Sequence, residues 1–291
     1  MACLAARPAS AQLFETVGVR AQGMAGAFVA VADDSTATWW NPAGLATGPF
    51  FSGMVERGYA RRPSEETRLG VSFAIPSLGL SYYRLRASEI LTPASTGSAG
   101  GGRQADGAGV SSTFLIHQVG ATVGQSIGDH LVVASTLKLV RADEIKGDVD
   151  MGAMVKFASA RVGFVVKHLH QPDVTVNGVR LEAFDRQIRI GAAFVPQPGP
   201  LTVNTSLDAD LTATPTVFGN ARHLAGGGEL WFRRRLGVRG GVSVNTIDEL
   251  RQSLSAGASI AFQTGLFVDG FITRGDDEAL EGWGVALRVT F

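Results

Sequence analysis

The chain of 291 residues has one cysteine (Cys3), three tyrosines and only 18% charged residues, with 26 basic side chains matched by 26 acidic ones. A single cysteine cannot build a disulfide scaffold. Zero net charge leaves no basic excess to grip nucleic acid, so no nucleic-acid partner is expected. Charged residues usually reach about 25% of a soluble domain, so this chain is poorly supplied for a water-facing surface. Long apolar runs are missing too. A spanning helix needs about 20 mostly apolar residues, and the best stretch, Ala25 to Ala32, stops at Asp33-Asp34. G-x-S-x-G, H-E-x-x-H, Walker and C-x-x-C motifs are all lacking, so the expectation is no enzyme, no cofactor and no metal. Disorder does not fit a chain that is 45% hydrophobic with no net charge.

Glycine is plentiful, at 37 residues, or about 13% against a usual 7%. From Phe50 onward the chain alternates with period two, so successive side chains point to opposite faces. Trp283, Val285, Leu287, Val289 and Phe291 oppose Gly282, Gly284, Ala286, Arg288 and Thr290. Leu137 and Leu139 oppose Thr136 and Lys138, and Leu254, Ile260 and Phe262 oppose Ser253, Ser255 and Ser259. A soluble sandwich also alternates, but carries more Lys and Glu outside. One apolar and one small-or-polar face suit lipid outside and a lumen inside. With no membrane helix available, a closed barrel is the remaining spanning structure that satisfies its backbone.

The segments number about 14, at roughly 50–60, 67–75, 77–87, 111–126, 129–142, 146–158, 161–170, 182–195, 199–209, 221–234, 235–245, 251–263, 265–274 and 279–291. Short and long connections alternate, as they do between periplasmic turns and external loops. The fold class expected is all-β, a transmembrane antiparallel barrel of about 14 strands in the outer membrane of a Gram-negative-type bacterium, with outer-membrane lipid as its surroundings and a monomeric state. Residues 50–291 form this barrel. Residues 1–11, with Ala9-Ser10-Ala11, read as the remnant of a signal peptide. Residues 12–49 do not alternate. Gly18 to Asp34 is small, apolar and Gly-rich, which suits a short helix packed inside the bore. The Gly-rich stretch within Ser88 to Gly109 reads as a flexible lid or external loop.

The stretch G-x-R-A-x-G-M-x-G-A-F-V-A-V-A-D-D-x-x-A-x-x-W-N-P-A-G-L, from Gly18 to Leu45, resembles the hatch of the FadL-type outer-membrane transport superfamily. Asn41-Pro42-Ala43 is its most specific element. Phe291 is similar to the terminal signal of such barrels. The resemblance implies a 14-stranded barrel and passive uptake of hydrophobic or amphiphilic small molecules, such as long-chain fatty acids, with sideways exit through the wall. The loops are shorter than in fatty-acid channels, which brings in the PorV/PorQ-like branch: a non-transporting scaffold with a secretion partner protein. The hatch residues carried over are Gly23, Gly26, Asp33, Asp34, Asn41, Pro42 and Ala43.

Luminal parity collects charges of both signs. Arg68, Lys138, Lys156, Arg161, Lys167, Arg189, Arg239 and Arg288 share the lumen with Asp148, Glu229 and Asp269. Among them, Phe114, Lys138, Met154, Arg189, Trp231, Phe267 and Phe271 are the candidate ligand contacts: an apolar pocket with a few cations. Packing against the plug is the competing role for the same side chains. A wet lumen predicts that Thr136→Arg or Ser259→Arg costs far less than Leu137→Arg. Asp148/Asp150 and Asp208/Asp210 read as a hydrated rim, and His168 with His170 as an interfacial pair on the lipid side.

Overall fold

A computed structural model of the protein describes residues 17–60, 66–91, 110–176, 179–181, 184–216, 219–276 and 280–291. Its strands are β1 (Ser52–Ala60), β2 (Glu66–Ile75), β3 (Leu78–Leu91), β4 (Val110–Ile127), β5 (Leu131–Arg141), β6 (Ile145–Phe157), β7 (Ala160–Lys167), β8 (Val174–Val176), β9 (Val179–Leu181), β10 (Gln187–Phe194), β11 (Leu201–Asp210), β12 (Thr214–Thr216), β13 (Gly219–Ala221), β14 (His223–Phe232), β15 (Leu236–Asn245), β16 (Gln252–Gln263), β17 (Leu266–Gly275) and β18 (Gly282–Thr290). Two pairs, β8–β9 and β12–β13, form small hairpins in external loops, which the alternation did not foretell. The other 14 strands close into one antiparallel barrel, sealed where β1 pairs with β18.

Closure follows from the alternation. Along β16, Leu254, Ile260 and Phe262 point outward while Ser253, Ser255 and Ser259 are buried. The outward Leu, Val and Phe side chains form a continuous belt far larger than water tolerates, and lipid is the medium it fits. No helix among the described residues is long and apolar enough to cross a membrane. At one end of the barrel the connections are tight. Ser77, Gly128, Ala158, Arg233, Arg234 and Gly265 there adopt positive φ, the backbone that matches a hairpin turn to the twist of its strands. Longer loops gather at the other end, as in barrels whose short turns face the periplasm.

Residues 17–49 lie in the bore and are less helical than expected. Helix α1 covers Val19–Gly23, α2 covers Ala37–Trp40, and a 3-10 turn runs from Pro42 to Thr47. The expected helix stops early because Ala25 and Gly26 turn left-handed, at φ 56° and 79°. The remainder is irregular backbone, whose amides need partners that a helix would have supplied. Residues 1–16 and 92–109, which include the signal remnant and most of the external lid, lie outside the described residues.

Candidate functional site

The wall supplies what the plug backbone lacks. Glu56, on the inner face of β1, accepts from the Gly18 amide at 2.9 and 3.0 Å and from Val19 at 3.0 Å. Asp208, on β11, accepts from the Phe28 and Val29 amides, both at 2.7 Å. Asn41 donates to the Val29 carbonyl at 3.0 Å and to the β6 carbonyl of Ala153 at 3.2 Å, while its Oδ1 accepts from the Ala43 amide. Thr136 of β5 donates to the Thr38 carbonyl, and Ser72 of β2 donates to Ser35. The plug is therefore tied to five wall strands, β1, β2, β5, β6 and β11.

Close approach demands space as well as acceptors. A Cβ at Gly163 of β7 would stand 2.6 Å from the Val29 carbonyl oxygen, and one at Gly152 of β6 would collide with Asn41 and Pro42. Within the plug, the Trp40 indole N–H donates to the Val17 carbonyl, and Phe28 meets Trp40 edge to face. Trp39 meets Tyr83 edge to face and lies under Lys167 Nζ, 4.5 Å from the ring centre.

A charge network links plug to wall. Arg20 pairs with Asp33 and Asp34 in the plug and with Glu229 on β14, where its Nε lies 2.9 Å from Oε2. Asn204 donates to the same Glu229. Arg239 stands 3.8 Å from Glu229 and 3.5 Å from Asp269, and Arg288 grips both oxygens of Asp269, at 2.8 and 3.2 Å. Arg161 approaches Asp33 at 3.9 Å. Four guanidinium groups thus face four carboxylates, a neutral set that can stay ionised out of water. Burial alone would lower the Arg20 pKa, but Asp33, Glu229 and Asp34 outweigh it and raise the pKa well above the usual value.

A second cluster lies toward the external end. Lys138 of β5 bridges Asp148 at 2.8 Å and Asp150 at 2.6 Å, both on β6. All three are buried, so the hydrated rim expected for these aspartates is instead a closed ion-pair site. His168 corrects a further expectation. It does not continue the lipid face of β7, because its φ of 57° ends the strand and swings the chain inward. Its Nδ1 meets Asp148 at 2.7 Å, and its amide donates to Asp150 at 2.9 Å. The two carboxylates and the imidazole have the spacing of a metal set, but the Lys138 ammonium already sits among them. His170 stays exposed.

The candidate ligand contacts do not converge on one pocket. Met154 packs with Ala43, Val132 and Ala134, and Phe271 with Val19 and Met54, so both touch the plug. Lys138 is in the ion-pair cluster, and Arg189 bonds Asp210 beneath the external mouth and lies 5.5 Å from the Trp40 ring centre. Trp231 and Phe267 meet edge to face, and both lie within 6 Å of the Arg288 guanidinium, at 5.9 and 4.5 Å. The side chain of Phe114 lies outside the described residues. Of the hatch residues, Gly23 presses against Arg239 and Gly257, Gly26 faces the Trp40 ring, and Pro42 opens the 3-10 turn. Sequence reasoning missed Glu56 altogether. Its one signal was a carboxylate on luminal parity in a strand, Ser52–Ala60.

Spaces remain on both sides of the plug. Toward the external mouth, a narrow cavity of about 50 Å³ is lined by Gln22, Gly26, Trp40, Arg189 and Asp208. On the short-turn side, a chamber of about 430 Å³ is lined by Arg20, Arg161, Trp231, Arg234, Phe267 and Arg288.

No protein-family model matches the chain, and no curated sequence matches it. Solved structures do. The CymD monoaromatic hydrocarbon channel superposes with a TM-score of 0.66 at 12% identity, covering 94% of this chain and 97% of that one. The toluene transporter TbuX of Ralstonia pickettii gives 0.62 at 13% identity, covering 95% and 99%. A FadL homologue of Pseudomonas aeruginosa gives 0.60 at 12% identity, covering 97% and 99%. The closed 14-strand barrel with its N-terminal segment tied into the bore is the fold this protein shares, over nearly its whole chain, with these solved structures.

Proposed function

We propose that the protein is an outer-membrane channel for passive uptake of hydrophobic or amphiphilic molecules, seen here with its gate shut. The observation that carries this reading is the seating of the plug. It separates two cavities, and beside its apolar packing on Tyr83, Leu85, Met154 and Phe271 it is held by side-chain acceptors on the wall. Such contacts can be exchanged one at a time. A toluene transporter and a monoaromatic hydrocarbon channel share the fold. The Trp231–Phe267–Arg288 group in the short-turn chamber suits an apolar body with an anionic head, so long-chain fatty acids stand beside small hydrocarbons as candidate cargo.

Sideways exit is supported by the wall near β7. That strand has eight residues against thirteen in β6, so the external part of β6, Ile145–Asp150, has no β7 partner in the ladder. The chain fills this seam through His168, clamped by Lys138, Asp148 and Asp150. The competing reading is a PorV/PorQ-like scaffold, in which the wall, hydrogen-bonded between every neighbouring pair of strands, stays sealed.

Reconstituted protein tests the choice. Transfer of a fluorescent long-chain fatty acid and of toluene into liposomes should rise in Lys138→Met, which removes the ammonium that holds the seam. A folded variant with unchanged transfer of both solutes, in a protein that itself transfers neither, would reject the channel and leave the scaffold.

A further inference from the structure

The short-turn end carries a feature that neither the plug nor the seam uses. The connection from β14 to β15 reads Arg233-Arg234-Arg235, three of the chain's 26 basic residues in succession. The Arg235 amide donates to the Phe232 carbonyl at 3.0 Å, closing a tight turn. Its two central residues have φ of 48° and 55°. Asn-Gly or Gly-Gly ordinarily fills such a turn, because a Cβ crowds the left-handed backbone. Nothing local favours arginine there.

The three side chains are exposed and form no ion pair among the described residues, unlike Arg20, Arg239 and Arg288. The Arg233 guanidinium lies 5.2 Å from the Phe232 ring centre. A groove of about 570 Å³ opens between Arg233 and Arg235, floored by Phe232, Leu236 and Ala261. A second groove, of about 560 Å³, runs from the three arginines to Gly265 and Phe291. Phe232, Leu236 and Phe262 lie on the lipid-facing parity and are 48%, 50% and 68% exposed. Unneutralised cations therefore stand directly beside an acyl-accepting wall, at the level of a membrane interface.

We propose that this turn binds an anionic phospholipid of the leaflet that faces the periplasm. The phosphate lies between the Arg233 and Arg235 guanidinium groups, which suit its oxygens. The acyl chains run along Phe232 and Leu236. The proposal shares with the transport reading the orientation of the barrel and one residue, Arg234, which also lines the short-turn chamber, and it holds whether or not the protein transports.

Native mass spectrometry of the full chain, released from nanodiscs of equal phosphatidylglycerol and phosphatidylcholine, tests it. Phosphatidylglycerol should be retained preferentially, and less so as salt rises. The variant Arg233→Asn/Arg234→Gly/Arg235→Gln should lose that preference by about fivefold per arginine, from about 1 kcal/mol for each basic group at an anionic surface. Asn-Gly suits the turn, so this variant should melt no lower than the unmodified barrel and the loss cannot be assigned to unfolding. Equal retention of both lipids, or undiminished preference in the variant, would overturn the proposal. So would displacement of phosphatidylglycerol by inorganic phosphate at equal concentration, which would mark a site for free phosphate.

Discussion

The outer and inner faces of the same strands obey different neighbours. On β5, Leu137 is 63% exposed, whereas the next residue inward, Thr136, is 1% exposed. Outside, any large apolar side chain satisfies lipid, so composition alone decides. Inside, Thr136 bonds Thr122 and the Thr38 carbonyl of the plug, and nearby Gly152 of β6 leaves room for the Asn41 side chain and the Pro42 ring. The outer face is therefore general and the inner face specific. The bore is a protein–protein interface within one chain, not a wet pore, so the expectation that Thr136→Arg or Ser259→Arg costs little does not survive. Thr136 has no room, and Ser259 lies between Arg239 and Asp269.

The comparison breaks most visibly at the charge network. Glu229→Ala leaves Arg20 and Arg239 buried beside a lost carboxylate, and should destabilise by about 3–5 kcal/mol, read as a lower urea midpoint for the loss of heat-modifiable gel mobility. Adding Arg20→Met should recover part of that loss. On the lipid face, Leu137→Arg should cost about 2–4 kcal/mol if it lies near the midplane, by the same assay. A third substitution sharpens the contrast in size. Gly163→Val drives a side chain into the Val29 carbonyl and should cost about 1–3 kcal/mol, with faster proteolysis of the plug segment as its signature. Of similar size is Asn41→Ala, which takes this partner from two carbonyls and one amide, roughly 1–3 kcal/mol. It should show as earlier thermal loss of the plug's protection from amide exchange while the strands stay protected.

The legible parts of the molecule follow the same division. Alternation places β18 within three residues of the expected 279–291 and yields the 14 strands, because lipid imposes one rule on every outward position. The Gly18–Leu45 pattern points to a segment in the bore, and Asn41 does bond its neighbours there. What the sequence does not display is pairing. Asp208 looks like half of a rim and proves to hold the Phe28 and Val29 amides. Lys138, Asp148 and Asp150 are three separate luminal charges until β5 and β6 are set side by side. His168 keeps the lipid parity in the sequence, and only its left-handed backbone turns it inward. Each of these depends on contacts far apart in the chain, which a period-two pattern does not encode.

Wall carboxylates holding the plug shut are the centre of the account. Planar-bilayer conductance of Glu56→Ala/Asp208→Ala, compared with the unmodified chain, tests it most directly. Both proteins should retain heat-modifiable mobility, the unmodified chain should be nearly silent, and the variant should conduct as the Gly18, Val19, Phe28 and Val29 amides lose their acceptors. A folded variant as silent as the unmodified chain would contradict the account.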